Sequence, residues 1–99
     1  MKDYSVIKTP QSVLKNTAVK VRALRKQNKY SQLELADRSG VSLGSLKRFE
    51  STGLISLESF LKLIDLLDRL EEFDTILQRS EDLAAIEKLF SNNTKMKAK

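Results

Sequence analysis

The sequence predicts an all-α protein, a bundle of about five helices followed by one C-terminal helix. Apolar residues recur along the chain at spacings of three and four, which is typical of amphipathic helices. Helix-capping serines and threonines precede these runs, and Pro10 is the only proline among the 99 residues. These observations together favour short helices joined by tight turns.

The first helix is predicted to begin at Thr9-Pro10, because proline is favoured at the first helical position. Its apolar positions keep helical spacing and are Leu14, Ala18, Val21 and Leu24. We expect this helix to end near Asn28. Residues 1–9 before it form an N-terminal arm to which the sequence assigns no structure.

The second helix is predicted over about Gln32–Ser39. Ser31 and Glu34 form a Ser-x-x-Glu capping box in front of it, which satisfies amide groups at a helix start. Gly40 follows at a position where a left-handed residue ends a helix. The expected apolar side consists of Leu33, Leu35 and Ala36.

The third helix is predicted over about Leu43–Ser51, with Ser42 as its N-cap. Val41 enters the core, and Leu46 and Phe49 lie on one face of the helix. Two short helices joined by a turn that contains glycine are the signature of a helix-turn-helix. The second helix of such a motif has the size to enter a DNA major groove.

Two further helices complete the predicted bundle, after a turn at Gly53. Ser56 is expected to cap the fourth, whose apolar stripe is wide. That stripe consists of Leu57, Phe60, Leu61, Ile64 and Leu67. A short fifth helix is indicated by Phe73, Ile76 and Leu77. The predicted helix-turn-helix domain is therefore residues 10–78.

The C-terminal part is predicted to contain one more helix, over residues 79–91. The acidic pair Glu81-Asp82 favours a helix start, and apolar residues follow at Leu83, Ile86, Leu89 and Phe90. Residues 92–99 form a polar, basic tail that we expect to be flexible.

Composition argues against several classes of function. Cysteine and histidine are both absent, which excludes disulfides and thiolate metal sites and removes the commonest general base. The chain also has no glycine-rich phosphate loop and no convergent carboxylate pair. We therefore expect no enzymatic activity, no metal and no cofactor. With no apolar run long enough for a signal peptide or a membrane span, we expect a soluble cytoplasmic protein.

Positive charge is concentrated in the first half of the chain. Residues 1–50 contain eleven Lys/Arg and four Asp/Glu, a net charge of +7, whereas residues 51–99 carry a net charge of −2. Such asymmetry indicates a surface that binds a polyanion. A solvated basic surface is the alternative, but the coincidence with a helix-turn-helix pattern favours nucleic acid.

Several separated motifs resemble one known family. They are Val21 to Arg25, Ser31-Gln32-Leu33-Glu34-Leu35-Ala36, Gly40-Val41-Ser42, Phe49-Glu50 and Ile55-Ser56-Leu57-Glu58. In residue type and spacing, residues 13 to 77 resemble the Cro/phage-repressor-type helix-turn-helix, the xenobiotic-response-element (XRE) family. The resemblance implies a lambda-repressor-like bundle that binds double-stranded DNA and regulates transcription.

The resemblance implies that the third helix reads bases. Leu43, Gly44 and Arg48 match family positions that contact base edges, and Arg48 can bind guanine O6 and N7 with its guanidinium fork. Leu43 is expected either to touch a thymine methyl group or to be partly buried in the core. Gly44 costs helix stability, so we interpret it as allowing close approach to DNA. Lys47 is a base or phosphate partner, or a solvated lysine.

Other residues are expected to position the DNA or to hold the fold. Gln32, Ser42 and Ser45 are candidate phosphate contacts, although Gln32 has the alternative of a plain solvated residue. The resemblance implies that Arg25 and Glu50 form a structural pair between the first and third helices. Additional phosphate contacts are possible from Lys8, Lys15, Lys20, Arg22, Lys26, Lys29 and Arg38.

The leading functional hypothesis is a homodimeric transcriptional regulator, a repressor acting on a palindromic operator. Leu83, Ile86, Leu89 and Phe90 are then expected to form the dimer interface. Alternatively, this helix folds back on its own domain, or it or the tail docks another protein. A second hypothesis is an antitoxin that neutralises a toxin and regulates its own operon. Some members of the XRE family are antitoxins of this kind.

Overall fold

A computed structural model describes residues 8–78 and contains five α-helices in that range. They are α1 (Pro10–Gln27), α2 (Gln32–Ser39), α3 (Leu43–Thr52), α4 (Leu57–Leu66) and α5 (Leu70–Asp74). The all-α prediction is confirmed, and the first three helices end within one residue of the expected positions. The predicted C-terminal helix, with the proposed interface residues Leu83, Ile86, Leu89 and Phe90, lies outside the described residues.

Side-chain caps determine where four of the helices begin. The hydroxyls of Thr9, Ser31, Ser42 and Ser56 each accept a hydrogen bond from a backbone N–H in the first turn. At Ser31 the capping box is complete, since its own backbone N–H donates to the Glu34 carboxylate at 2.8 Å. These bonds satisfy amide groups that have no partner within the helix.

Glycines end the two central helices in a left-handed conformation. Gly40 ends α2 with φ +83°, and Gly53 ends α3 with φ +87°. Gly53 is also buried, and a Cβ atom built on it would lie 2.9 Å from the backbone carbonyl carbon of Leu14 in α1. A glycine is therefore required there both by the conformation and by the close approach of α1 to α3.

The core lies where α3 packs between α1 and α2, with α4 closing it from the α2 side. Its four fully buried large side chains are Leu35, Leu46, Phe49 and Leu63. Three phenylalanines extend it in edge-to-face contacts: the Phe49 and Phe60 ring centroids are 6.2 Å apart, and those of Phe60 and Phe73 are 6.1 Å apart. These aromatic contacts connect α3 to α5 through α4, and they support α3 on its buried side.

The expectation for α5 is partly wrong. Phe73 lies in α5 and packs against the core, but the helix ends at Asp74, before Ile76 and Leu77. Leu77 has φ +70° and is 92% exposed. A residue with a left-handed conformation cannot belong to an α-helix. Ile76 and Leu77 therefore keep the apolar spacing of the sequence but lie beyond the end of the helix.

Three leucines expected on the apolar faces of α1, α2 and α4 are exposed, and Leu14 of α1 is 36% exposed. Leu33 is 55% exposed, because residues two apart on a helix do not share a face and Leu35 occupies the inner one. Leu57 is 58% exposed in the first turn of α4, so the stripe of that helix is covered only from Phe60 onward. Within the described residues, no helix is long and apolar enough to cross a membrane.

Candidate nucleic-acid interface

The α2–turn–α3 unit presents one face of α3 to solvent. Leu46 and Phe49 are buried and define the inner side of the helix. Because each residue turns a helix by about 100°, Gly44 and Arg48 lie on the opposite side. Both are exposed. The outer face of α3 therefore combines a residue without a side chain and an arginine one turn further on.

The glycine on this face is not required by the fold. A Cβ atom built on Gly44 meets nothing within 4 Å, apart from the backbone of its own helix and its chain neighbours. Its backbone is helical and does not need the conformational freedom of glycine, in contrast to Gly40 and Gly53. What the missing side chain provides is room outside the helix, where a partner surface can approach the backbone.

Leu43 lies at the inner edge of the outer face. It is half-buried and packs against the core cluster. Of the two alternatives that the sequence left open, a partly buried leucine describes its position. Contact with a thymine methyl group stays a prediction that depends on the part of the side chain left exposed.

Two serines lie at the first turn of α3. The Ser42 hydroxyl accepts from the Ser45 backbone N–H at 3.1 Å and donates to the Ser45 hydroxyl, with 2.9 Å between the two oxygens. Both residues are exposed. The N-cap role expected of Ser42 is present, and both side chains stay accessible beside the positive end of the helix.

A buried ion pair joins α1 to α3. The Arg25 Nε donates to Glu50 Oε2 at 2.7 Å, and its Nη2 donates to Glu50 Oε1 at 3.0 Å. The remaining guanidinium nitrogen, Nη1, donates to the backbone carbonyl of Tyr30 at 2.9 Å. The two side chains are 9% and 6% exposed. Arg25 therefore links α1, α3 and the turn before α2.

Gln32 takes part in this network, which neither sequence alternative foresaw. Its Nε2 donates to Glu50 Oε1 at 2.9 Å, and the residue is half-buried. One N–H of the amide is used in this bond, and the amide has a second. The bond holds the start of α2 against α3, and contact of Gln32 with phosphate stays a prediction. No local sequence signal indicates a bond between residues 18 positions apart.

The Glu50 carboxyl is held in its charged form. Burial by itself raises its pKa, but hydrogen bonds from Arg25 and Gln32 and the charges of Arg25 and Arg22 outweigh that effect. The pKa of Glu50 is therefore lower than its usual value of 4.5. The contacts that hold α3 against Arg25 and Gln32 are therefore made by a carboxylate that is ionised at neutral pH.

Grooves flank α3 on two sides and receive different residues of the helix. One lies between α1, the start of α2 and α3, and it is lined by Arg22, Lys26 and Lys47. The other lies between α3 and the start of α4, and it is lined by Arg48 and Ser45. Arg22 and Lys26, which the sequence placed only among several possible edge contacts, therefore lie close to α3.

A family model described as helix-turn-helix (HTH_3) matches residues 21–73, more than half of the chain, from the second half of α1 into α5. Neither the curated proteins nor the solved structures gave a significant match. On the strength of the family match and of the α2–turn–α3 geometry, the chain belongs to the Cro/repressor-type (XRE) helix-turn-helix family of DNA-binding transcription regulators.

Proposed function

We propose that the protein is a sequence-specific regulator that inserts α3 into the DNA major groove. The observation that supports this most directly is the outer face of α3. Gly44 and Arg48 are exposed there, opposite the buried Leu46 and Phe49. The core and the buried Arg25–Glu50 ion pair hold α3 in one orientation relative to the rest of the domain. Base reading requires such a fixed orientation of the exposed face.

Within this proposal, Arg48 is the principal base-reading residue. Its guanidinium fork matches the O6 and N7 acceptors of guanine in the major groove. Gly44 allows the backbone of α3 to approach the base edges, and the exposed part of Leu43 contributes an apolar contact. Ser42, Ser45 and the second amide N–H of Gln32 bind phosphates and set the register of the protein on the duplex.

We further propose that the regulator acts as a homodimer. One α3 helix contacts only a few base pairs, whereas two copies related by a twofold axis read half-sites about 34 Å apart. The interface is assigned to Leu83, Ile86, Leu89 and Phe90. Such a dimer bound over a promoter represses by occlusion. The antitoxin hypothesis adds a protein partner to the same DNA-binding unit and is not needed to explain α3.

Selection of bound sequences from random duplexes tests this proposal. We expect enrichment of a palindrome whose half-sites are one helical turn apart. The same selection with Arg48→Ala should lose the preference at one or two positions in each half-site, whereas Lys62→Ala on α4 should leave it intact. Enrichment of no sequence by the wild-type protein would contradict the proposed function.

A further inference from the structure

The groove between α1 and α3, here called the α1/α3 cleft, carries positive charge on both walls. Arg22 and Lys26 come from α1, and Lys47 comes from α3. Gln32 lines the same cleft at the start of α2. Glu50 is the only acidic side chain among the residues that line it.

The charge of Glu50 is already balanced by a residue inside the fold. Both of its carboxylate oxygens accept hydrogen bonds from the buried Arg25. The Nε of Arg22 is 4.0 Å from Oε1 of this carboxylate, and the Arg22 side chain is 56% exposed. The charges of Arg22, Lys26 and Lys47 are thus in excess over the acidic charge of the cleft.

Lys47 and Arg48 point to different sides of α3. Consecutive residues are separated by about 100° around a helix, and the two side chains line different grooves. Among the described residues, Lys47 has no carboxylate within ion-pair distance. Lys47 therefore belongs with the cations of α1 rather than with Arg48.

We propose that the α1/α3 cleft binds one phosphate of the DNA backbone, between Arg22 on one wall and Lys47 on the other. This assignment rests on the proposed DNA reading by α3, and it makes Lys47 a phosphate contact instead of a base-reading residue. The anion neutralises cations that otherwise repel one another across the cleft. The side chain of Gln32, bound to Glu50 at the cleft, offers its remaining N–H to the same phosphate.

The test is the salt dependence of binding by the full chain. The ligands are a duplex enriched by selection and a duplex of equal length with the same bases shuffled. Arg22→Gln, Lys47→Gln and the double variant are compared with Lys62→Gln, which removes one charge from α4, as each single variant does from the cleft. Arg48→Gln serves as the base-reading variant. Thermal melting establishes that each variant is folded, as expected for exposed side chains.

We expect Lys47→Gln to weaken binding to both duplexes by the same factor, because a phosphate contact carries no sequence information. The double variant should reduce the slope of log Kobs against log salt by about 0.9, which corresponds to one phosphate. A reduction of about 1.8 would indicate two separate phosphates and overturn the shared site.

Two other results would also overturn the assignment. One is a Lys47→Gln variant that changes the ratio between selected and shuffled duplexes, as a base contact would. The other is a double variant that binds as Lys62→Gln does. Failure of the proposed function would appear in a different variant, Arg48→Gln. If Arg48→Gln keeps the wild-type ratio between selected and shuffled duplexes, base reading by α3 is wrong. The salt slope of the double variant still tests phosphate binding in the α1/α3 cleft.

Discussion

At the scale of single residues, Arg25 and Glu50 show how a charged pair is kept inside a small core. Each nitrogen of the Arg25 guanidinium donates one hydrogen bond, two to Glu50 and one to the Tyr30 carbonyl. A buried pair often contributes little net stability, but removal of one partner leaves an uncompensated charge. The pair therefore fixes the relative position of α1 and α3 more than it adds stability.

Arg25→Met should lower the free energy of unfolding by about 3 kcal/mol, because it leaves the Glu50 carboxylate buried with Gln32 as its closest remaining donor. The double variant Arg25→Met with Glu50→Leu should recover most of this loss. Urea denaturation at neutral pH measures both changes. A loss below about 1 kcal/mol for the single variant would mean that the carboxylate is rehydrated.

The lowered pKa of Glu50 predicts how stability depends on pH. The folded state stabilises the ionised form of Glu50 relative to the unfolded state. The resulting contribution to the free energy of unfolding is therefore complete above about pH 4.5, and it is lost as the pH falls through the lower folded-state pKa. Urea denaturation at several pH values should show the wild-type protein losing more stability over this acidic window than Glu50→Gln does. Equal losses in the two proteins would contradict the cause assigned to the shift.

At the scale of helices, the glycines form a matched series. Gly40 and Gly53 both have positive φ, but only Gly53 faces backbone atoms, those of Leu14 at 2.9 Å. Gly40→Ala should cost about 1–2 kcal/mol from the left-handed conformation alone. Gly53→Ala should cost at least about 1 kcal/mol more, because α1 must move away. Thermal or urea denaturation measures both losses of stability. Equal losses for the two variants would show that α1 can move away from α3 without an energetic cost.

Gly44→Ala should have the opposite effect on stability. An added Cβ atom meets nothing within 4 Å, and alanine favours a helix by about 1 kcal/mol over glycine. We expect a higher melting temperature together with weaker binding to the selected duplex, since the methyl group occupies the space that DNA requires. A variant that is stabilised and binds unchanged would remove Gly44 from the interface.

The helix boundaries were predictable where local chemistry sets them. The caps at Ser31 and Ser42, the capping-box residue Glu34 and the glycines that end α2 and α3 each act within their own turn. The local sequence is therefore enough to predict where these helices begin and end. The end of α5 was not predictable, because the apolar spacing continues past its last residue, Asp74, through Ile76 to the left-handed Leu77. The Gln32–Glu50 bond was missed for a related reason: it depends on the packing of α2 against α3, which no local pattern encodes.

At the scale of the whole molecule, the proposed base reading by α3 and the proposed twofold symmetry are linked. The α3 helix offers a short reading surface, and each base contact gives only about 1–3 kcal/mol of discrimination. The proposed dimer would supply the remaining specificity by placing two copies on adjacent half-sites. Within one copy, the basic first half of the chain contains α3, and the acidic second half, with a net charge of −2, contains the proposed dimer interface.

Phe90→Glu in the full chain should disrupt the proposed interface without changing α3, because that interface would bury the new carboxylate among apolar side chains, which is strongly disfavoured. Sedimentation equilibrium should show monomers at concentrations where the wild-type protein is dimeric. Binding to the palindrome should fall by orders of magnitude while binding to an isolated half-site stays the same, since each monomer keeps its reading helix. Ser91→Glu, which introduces the same single negative charge at a polar position of the same segment, is the matched control. A Phe90→Glu protein that remains dimeric would assign this segment to its own domain instead.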